Sequence, residues 1–183
     1  GEGRHFCTGL DLSDLDDSAD ADWLWRLVRI ETLLDALWRS PLATVALAQG
    51  RAWGAGADLF AACEQRVAAP GTTFRFPGAQ FGIVLGTRRL AERVGTGVAR
   101  HLVTGGAELD AAAALAAGLA TAVGTEADTS EPRIDAATAR AVRAASRHDA
   151  PDTDLATLVR SASEPGLKAR IQAYRQRVLA SRS

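Results

Sequence analysis

The alternation of apolar and polar positions divides the chain into a first half of short strands and helices and a second half made of helices. Residues 44–48 are uncharged and partly β-branched, which predicts a short buried strand. Residues 57–63 favour a helix, and the glycines between these segments predict a tight turn that begins at Gly50. We therefore expect a strand, a turn and a helix in direct succession, with the helix starting near Gly54 or Ala55.

The same pattern predicts the remaining elements. Apolar side chains recur at helical spacing from Trp23 to Leu37, until Ser40-Pro41 ends that helix. Two further strands are predicted after the turn and one later in the chain, over residues 65–69, 72–76 and 121–123. Helices are predicted over residues 88–95, 96–104 and 109–117, and three more between residues 135 and 181.

The glycine-rich turn is the strongest chemical signal in this pattern. A helix that starts there directs its first unpaired N–H groups at whatever lies above the turn, and glycine or alanine lets a ligand come close. We expect an oxyanion or a phosphate in this place. A dinucleotide-binding turn is disfavoured, because Leu59 stands where its third glycine is needed. The remaining alternative is that the glycines only let a strand and a helix pack closely.

A second motif occurs at the start of the chain, where residues 3–12 have the sequence Gly-Arg-His-Phe-Cys-Thr-Gly-Leu-Asp-Leu. This stretch precedes Gly54, Gly56 and Asp58 by several tens of residues. In this order and at this separation, the two motifs together resemble the crotonase superfamily, the enoyl-CoA hydratase/isomerase fold. The resemblance covers roughly residues 1–125 and fades after that.

The resemblance implies an α/β fold, with a crotonase-like ββα spiral core followed by a C-terminal helical region. We place the core at residues 1–125 and the helical region at residues 126–183. Members of the family carry further residues before the motif that stands here at residues 3–12. Those further residues form the first strands of the core sheet. We therefore expect these strands to be absent from the chain, which begins inside the fold.

The resemblance also implies the catalytic groups. The backbone N–H groups of Leu10 and Ala55 correspond to the oxyanion hole of the family, which polarises a thioester carbonyl. Asp58 stands where the family carries its first glutamate, one methylene shorter, and is the expected acid or base. The second acid of the hydratases is missing, because Gly78 follows Pro77 where the family has Pro-Glu.

Coenzyme A enters only as part of the substrate, and no separate cofactor is expected. The residues implied to contact it lie in the two motifs: Arg4, Phe6, Gly9, Leu10 and Gly54. The implied function is that of an acyl-CoA thioester-binding enzyme of the hydratase/isomerase type, which stabilises a thioester enolate. The alternative is a catalytically impaired crotonase-like protein that serves as a binding or assembly subunit. A nucleotide-binding α/β domain is a third and weaker hypothesis.

The composition of the chain indicates which classes of partner are unfavourable. The chain has 183 residues, a net charge of -1 and 47% hydrophobic residues, which is typical of a globular domain and gives no electrostatic case for nucleic acid. No apolar run long enough to span a membrane occurs, and a signal peptide is not evident, so we expect a cytoplasmic protein. Cys7 and Cys63 have no metal-site spacing, so no metal is expected. The family resemblance implies a homotrimer or a dimer of trimers.

Two local features need a structure to interpret. Six aspartates between Asp11 and Asp22 are expected to repel one another and stay solvated, with Asp11 accepting backbone N–H groups of the following turn. Trp23 and Trp25 are expected to pack in the core, and the alternative is that they line a substrate pocket.

Overall fold

The computed structural model describes residues 3–128, 130, 132–148 and 150–181. The helices are α1 (Asp20–Trp38), α2 (Ala55–Ala62), α3 (Thr87–Val94), α4 (Thr96–Gly105), α5 (Ala111–Ala116), α6 (Ala136–Ala145), α7 (Pro151–Ala162) and α8 (Leu167–Ala180). The strands are β1 (Val45–Ala48), β2 (Arg51–Trp53), β3 (Gln65–Ala68), β4 (Thr73–Arg75), β5 (Leu109–Asp110) and β6 (Ala122–Val123), and a short 3-10 helix spans Gly78–Phe81. The fold is thus mixed in its first part and helical after β6.

The strands form two small sheets, and the chain alternates between them from β1 to β4. β3 lies between β1 and β6, and all three run parallel. β4 lies between β2, which is parallel to it, and β5, which is antiparallel. Because β1 and β2 are separated only by Gln49 and Gly50, the chain steps from one sheet to the other within two residues. This stepping gives the core its spiral character.

The main core lies between these sheets and the helices that follow them. Phe60 of α2 and Phe74 of β4 are fully buried, with ring centroids 4.7 Å apart. Leu90 of α3 and Leu102 of α4 close the same cluster from the other side. Burial of side chains of this size contributes about 1.5 to 3 kcal/mol each. These helices therefore fix the position of α2 relative to the strands.

A second core joins the C-terminal helices to α1. Trp23 and Leu27 of α1 pack with Leu158 of α7 and with Leu167 and Ile171 of α8. The region after residue 125 is therefore helical, as expected, but two of its helices are packed on an element that comes early in the chain. Trp23 is fully buried in this cluster, as the core interpretation predicted, whereas Trp25 is 62% exposed.

The aspartates of the acidic segment hold α8 in place. Asp16 accepts hydrogen bonds from Gln172 and Arg175, each at 3.1 Å, and the contact with Arg175 helps to lower the pKa of Asp16 below its ordinary value. Asp20 accepts from the backbone N–H groups of Leu167 (3.2 Å) and Lys168 (2.8 Å) at the start of α8. The segment is largely exposed, as expected, but Asp16 is paired with Arg175 and Asp20 binds the start of α8, so these two carboxylates do more than repel their neighbours.

The predicted helices and strands are present with two corrections. β2 lies inside the segment predicted to be a tight turn, so strand, turn and helix do not follow one another directly. β5 occupies the first two residues of the helix predicted over 109–117. Both strands are short and pair with β4, which is distant in sequence from β5 and follows β2 only after a helix and a strand. A local pattern carries no information on such partners.

We expect Asp20→Ala to destabilise the protein because two N–H groups at the start of α8 lose their acceptor. The expected loss is about 1 kcal/mol, the usual value for a helix cap. Chemical denaturation followed by circular dichroism measures it. Asp17→Ala is the matched control, since Asp17 is exposed and its carboxyl makes no hydrogen bond within the described residues. Equal effects of the two variants would contradict this role of Asp20.

Candidate active site

An apolar cavity of about 140 Å³ lies at the start of α2. The N-terminal segment contributes Leu10, and α2 contributes its first residue, Ala55. Leu27 of α1 forms another part of the wall. Ile171 and Tyr174 of α8 also line the cavity, so the helix held by the acidic segment forms part of its wall.

Gly54 shapes the turn that leads into α2. Its φ of 56° and ψ of -129° form a conformation that side chains other than glycine rarely adopt. The Gly54 N–H donates to the Arg75 carbonyl at 2.8 Å, which ties the turn to β4. The next N–H group, that of Ala55, donates no hydrogen bond within the described residues. α2 therefore begins at the cavity with an unpaired donor, as the sequence predicted.

The N-terminal segment brings a second unpaired donor to the same place. Cys7 bridges to Ala52 of β2, with hydrogen bonds from Cys7 N–H to the Arg51 carbonyl (3.2 Å) and from Trp53 N–H to the Cys7 carbonyl (2.9 Å). The Leu10 N–H donates no hydrogen bond within the part of the chain that the structure describes. Both Leu10 and Ala55 line the cavity.

Two glycines permit this close approach. A Cβ atom added to Gly56 would lie 2.2 Å from the Cys7 carbonyl oxygen, which shows that the N-terminal segment rests directly on α2. A Cβ atom added to Gly9, whose φ is 98°, would lie 3.5 Å from the Ala55 nitrogen. The contact between backbones therefore holds Leu10 beside Ala55.

Asp58 is the buried acid of the cavity. It lies on the first turns of α2, its exposed fraction is 7%, and no described group forms a hydrogen bond with its carboxyl. Burial raises the pKa of Asp58 well above its ordinary value, the charge of Glu31 raises it further, and Arg89 acts in the opposite direction. The carboxyl therefore retains its proton at a pH at which an exposed aspartate has lost it.

An ion pair behind Asp58 escaped the sequence analysis. Arg89 of α3 and Glu31 of α1 are 1% and 2% exposed, and Nη1 of the arginine donates to Oε2 of the glutamate at 3.1 Å. Gly86, which precedes α3 with a φ of 67°, contacts the acid directly, because an added Cβ would lie 2.2 Å from Asp58 Oδ1. The one sequence signal near this ion pair is Gly86, a glycine directly before the helix predicted to start at Arg88.

The predicted site residues are only partly brought together. Gly9 and Gly54 line the cavity with the three catalytic candidates. Phe6 does not, because its ring packs edge-on against Phe60 in the core, with centroids 6.3 Å apart. Arg4 lies in an exposed turn, also away from the cavity. Neither of these two side chains lines the cavity, and their expected contact with coenzyme A stays a prediction.

Gly78 lines the cavity where the second acid of the family is expected. Its φ is not positive, so the backbone there does not require glycine. An added Cβ would lie 3.0 Å from the Ile83 carbonyl oxygen, a tight contact that a small shift can relieve. The size of a side chain at position 78 is therefore limited by the space near the cavity and not by the backbone conformation.

Other expectations concern residues around the site. Asp11 accepts a hydrogen bond from the Ser13 N–H at 2.9 Å, which confirms its role in the turn. Cys63 is buried and Cys7 is half-buried, and neither forms a disulfide. Within the described residues no cluster of three or more potential metal ligands occurs. No helix among them is both long and apolar enough to cross a lipid bilayer.

Two unpaired N–H groups and one buried acid around an apolar cavity can hold a carbonyl oxygen that gains negative charge while a proton moves nearby. Together with the spiral α/β core, this arrangement is that of a crotonase-type protein. The comparisons with known proteins lead to the same class.

A sequence model of the enoyl-CoA hydratase/isomerase family matches residues 1–177. A probable enoyl-CoA hydratase of Mycobacterium bovis is 40% identical over 131 residues, which are 70% of this chain. The ethylmalonyl-CoA decarboxylase of Gallus gallus is 34% identical over 123 residues, or 65% of this chain. A crystal structure described as an enoyl-CoA hydratase/isomerase from Bordetella parapertussis has a TM-score of 0.88 and 41% identity, covering 95% of this chain and 77% of that one. The chain belongs to the enoyl-CoA hydratase/isomerase family.

These matches confirm the predicted family and the crotonase-like fold. The chain spans about half the length of the curated relatives it matches, 52% of the mycobacterial protein and 41% of the avian one.

We expect Gly56→Ala to destabilise the protein, because the added methyl group collides with the Cys7 backbone. Overpacking of this kind costs about 1 to 3 kcal/mol. Gly97→Ala is the matched control, since nothing lies within 4 Å of an added Cβ there, and alanine in α4 should stabilise by up to about 1 kcal/mol. Thermal melts of both variants test this, and a neutral Gly56→Ala would contradict the close contact.

We expect Asp58→Asn to stabilise the protein progressively as the pH rises above 4. The unfolded chain releases the Asp58 proton near its ordinary pKa of 3.8, whereas the folded chain keeps it. The free energy of unfolding of the parent therefore falls by at most about 1.4 kcal/mol per pH unit until the pKa of Asp58 in the folded protein is reached. The asparagine side chain of the variant does not titrate, so the variant does not lose this stability. Denaturation curves at several values between pH 4 and pH 8 measure the difference, with Asp17→Asn as control. A difference that does not change with pH would contradict the raised pKa.

Proposed function

We propose that this chain forms the catalytic part of an acyl-CoA enzyme of the hydratase/isomerase type. The observation that carries the proposal is the pair of unpaired N–H groups, from Leu10 and Ala55, on one apolar cavity next to a buried acid. The thioester carbonyl of the substrate accepts hydrogen bonds from both groups. Coenzyme A is part of the substrate, and no separate cofactor takes part.

The two N–H groups stabilise the enolate that forms when a proton moves at the α-carbon. Each preorganised donor contributes on the order of 3 to 4 kcal/mol to transition-state stabilisation. The Ala55 donor also lies at the N-terminus of α2, where the helix dipole favours negative charge. Since these are backbone groups, the side chains at both positions have little influence on the step.

Asp58 transfers the proton. Its raised pKa leaves a larger fraction of the carboxyl protonated than in an exposed aspartate at the same pH and makes the ionised carboxylate a stronger base. One acid suffices to move a proton between two carbons of the acyl group in a double-bond shift. Hydration in this family uses two acids on one water, and Gly78 provides none.

A second candidate reaction is decarboxylation of a malonyl-type thioester. Loss of carbon dioxide produces the same enolate without a base, and a protonated Asp58 can then deliver a proton to the α-carbon. The burial of Asp58, which raises the pKa of its carboxyl, favours this reaction, and the similarity to the ethylmalonyl-CoA decarboxylase of Gallus gallus supports it.

Assembly and location are also part of the proposal. We propose a homotrimer or a dimer of trimers in the cytoplasm, without nucleic-acid or membrane partners. Exposed apolar side chains on β1 and β6 support association between subunits: Val45, Leu47 and Val123 are each more than 40% exposed.

The test is to incubate the protein in D2O with crotonyl-CoA, a 3-enoyl-CoA and ethylmalonyl-CoA, and to follow products and deuterium at the α-carbon by NMR. We expect turnover or exchange with at least one thioester, and a loss of about 10² to 10⁴-fold in Asp58→Asn. Asp17→Asn should behave as the parent. Binding without exchange or turnover would favour the impaired binding subunit, and absence of thioester binding would refute the proposal.

We further expect Gly78→Glu to raise the hydration rate of crotonyl-CoA, because it restores the second acid beside an intact pair of donors. A general acid or base typically contributes about 10² to 10⁴-fold. Gly78→Gln is the matched control, with nearly the same shape and no acid. Absorbance of the thioester follows the rate, and a melting curve monitors the tight contact with Ile83. Equal rates in a folded Glu and a folded Gln variant would show that a missing acid does not limit hydration.

A further inference from the structure

A cluster of charged side chains from three helices surrounds the Arg89–Glu31 pair. Nη2 of Arg89 lies 3.5 Å from Asp154 Oδ2 and 3.8 Å from Asp35 Oδ1, in addition to the two contacts with Glu31. Arg88 donates from Nε to Oδ1 of Asp154 at 3.0 Å and from Nη2 to Oδ2 at 2.7 Å. These contacts join α7 to α1 and α3. We call these five residues the charge cluster.

The centre of the charge cluster is buried and lies outside the cavity. Glu31 is 2% exposed and Arg89 is 1% exposed. Neither is among the described residues that line the cavity, so neither touches a ligand there. Burial of two charges carries a desolvation cost that their mutual attraction offsets only in good geometry. An effect of this pair on a reaction in the cavity must therefore be transmitted through another residue.

Asp58 is the residue that connects the pair to the cavity. Its helix, α2, packs against both α1 and α3. Gly86 lies directly before α3 and touches the Asp58 carboxyl, while Arg89 follows in the first turn of the same helix. No described group forms a hydrogen bond with the Asp58 carboxyl, so burial and nearby charges decide whether it carries a proton.

Two charges of the cluster act on Asp58. Burial raises the pKa of Asp58 most, the negative charge of Glu31 raises it further, and the positive charge of Arg89 opposes both with a smaller effect. Both arginines of the cluster already have carboxylate partners, so an ionised Asp58 finds no free cation among them. Tyr174, the other titratable group on the described cavity wall, is neutral at pH 7. The other charged residues of α1, α3 and β2 bind elsewhere or are exposed: Asp20, Asp22, Arg26, Arg29, Arg51, Glu92 and Arg93.

We propose that Glu31, held in place by Arg89, is a positioning residue that keeps the proton on Asp58. Its fixed negative charge disfavours a second carboxylate in the same buried region, so Asp58 stays protonated beside the cavity. Glu31 lies in neither sequence motif and touches no substrate.

The consequence for catalysis rests on the proposed function. Asp58 gives its proton to a carbon of the enolate, where the enolate electron pair forms the new C–H bond and a carboxylate remains on Asp58. This carboxylate takes its next proton from the substrate carbon in a double-bond shift, or from water after decarboxylation. Glu31 favours the return of that proton in both cases.

Carbon-13 NMR of protein labelled at the aspartate carboxyl carbons measures the titration of Asp58, whose signal is identified by its loss in Asp58→Asn. We expect Glu31→Gln to lower the titration midpoint by about one pH unit or more, because a like charge is lost while Arg89 remains. Glu31→Asp keeps the charge and should restore most of the midpoint of the parent. An unchanged midpoint in folded Glu31→Gln, or equal midpoints in the Gln and Asp variants, would overturn the inference.

Glu92→Gln is the matched control, because Glu92 is an exposed glutamate on α3, and it should titrate as the parent does. If Glu31→Gln alone does not fold, the double variant Glu31→Gln/Arg89→Gln replaces it, since it leaves no unpaired buried cation at this pair. Its Asp58 midpoint should lie below that of the parent, because the effect of Glu31 exceeds that of Arg89. A midpoint at or above that of the parent would contradict the role of Glu31.

The pH dependence of turnover separates this inference from the proposed function. With a thioester that the parent converts, the fall of kcat at high pH should begin at lower pH in Glu31→Gln, by the same interval as the NMR midpoint, while KM changes by less than about twofold. A shifted NMR midpoint without turnover of any thioester would retain the role of Glu31 and refute the proposed function. Turnover with neither the midpoint nor the pH profile shifted would retain the function and refute the role of Glu31.

Discussion

The direct contact between two backbone segments, at Cys7 and Gly56, is the constraint on which the site depends. The N-terminal segment pairs with β2 through Cys7 and rests on α2 with no side chain between them. This contact brings the Leu10 N–H to the cavity wall on which Ala55 already lies. A hydrogen-bond donor is useful for catalysis only when it is held in place before the charge develops, and here the strand pairing and the packed helix hold both donors.

The chain also keeps the cavity apolar around Asp58, the one acid among the described residues that line it. α8 contributes Ile171 and Tyr174 to the wall and is attached through Asp16 and Asp20 to the segment that follows the Leu10 donor. Exclusion of water raises the pKa of Asp58 and strengthens the hydrogen bonds that the unpaired donors can form with a ligand. The C-terminal helices are therefore part of the site and do not form a separate appendage.

Much of the fold was predictable because it depends on local signals. The helix that ends at Ser40-Pro41 follows from the spacing of apolar residues and from the stereochemistry of proline. β2 and β5 were not predictable, since each is only two or three residues long and exists through pairing with β4. Phe6 was assigned to the ligand because it belongs to the N-terminal motif; its ring packs against Phe60 in the core, and a contact with coenzyme A stays a prediction.

The sequence by itself determined the family, the glycine turn that opens α2, and the candidates Leu10, Ala55 and Asp58. It could do so because two glycine-spaced motifs, at the start of the chain and before α2, resemble those of the family, and that resemblance implies the role of each candidate. Only the tertiary structure decided which groups surround the acid: the Arg89–Glu31 pair, the contact with Gly86 and the wall formed by α8. These groups come from elements far apart in the chain, and burial and proximity between such elements arise only when the two cores are packed.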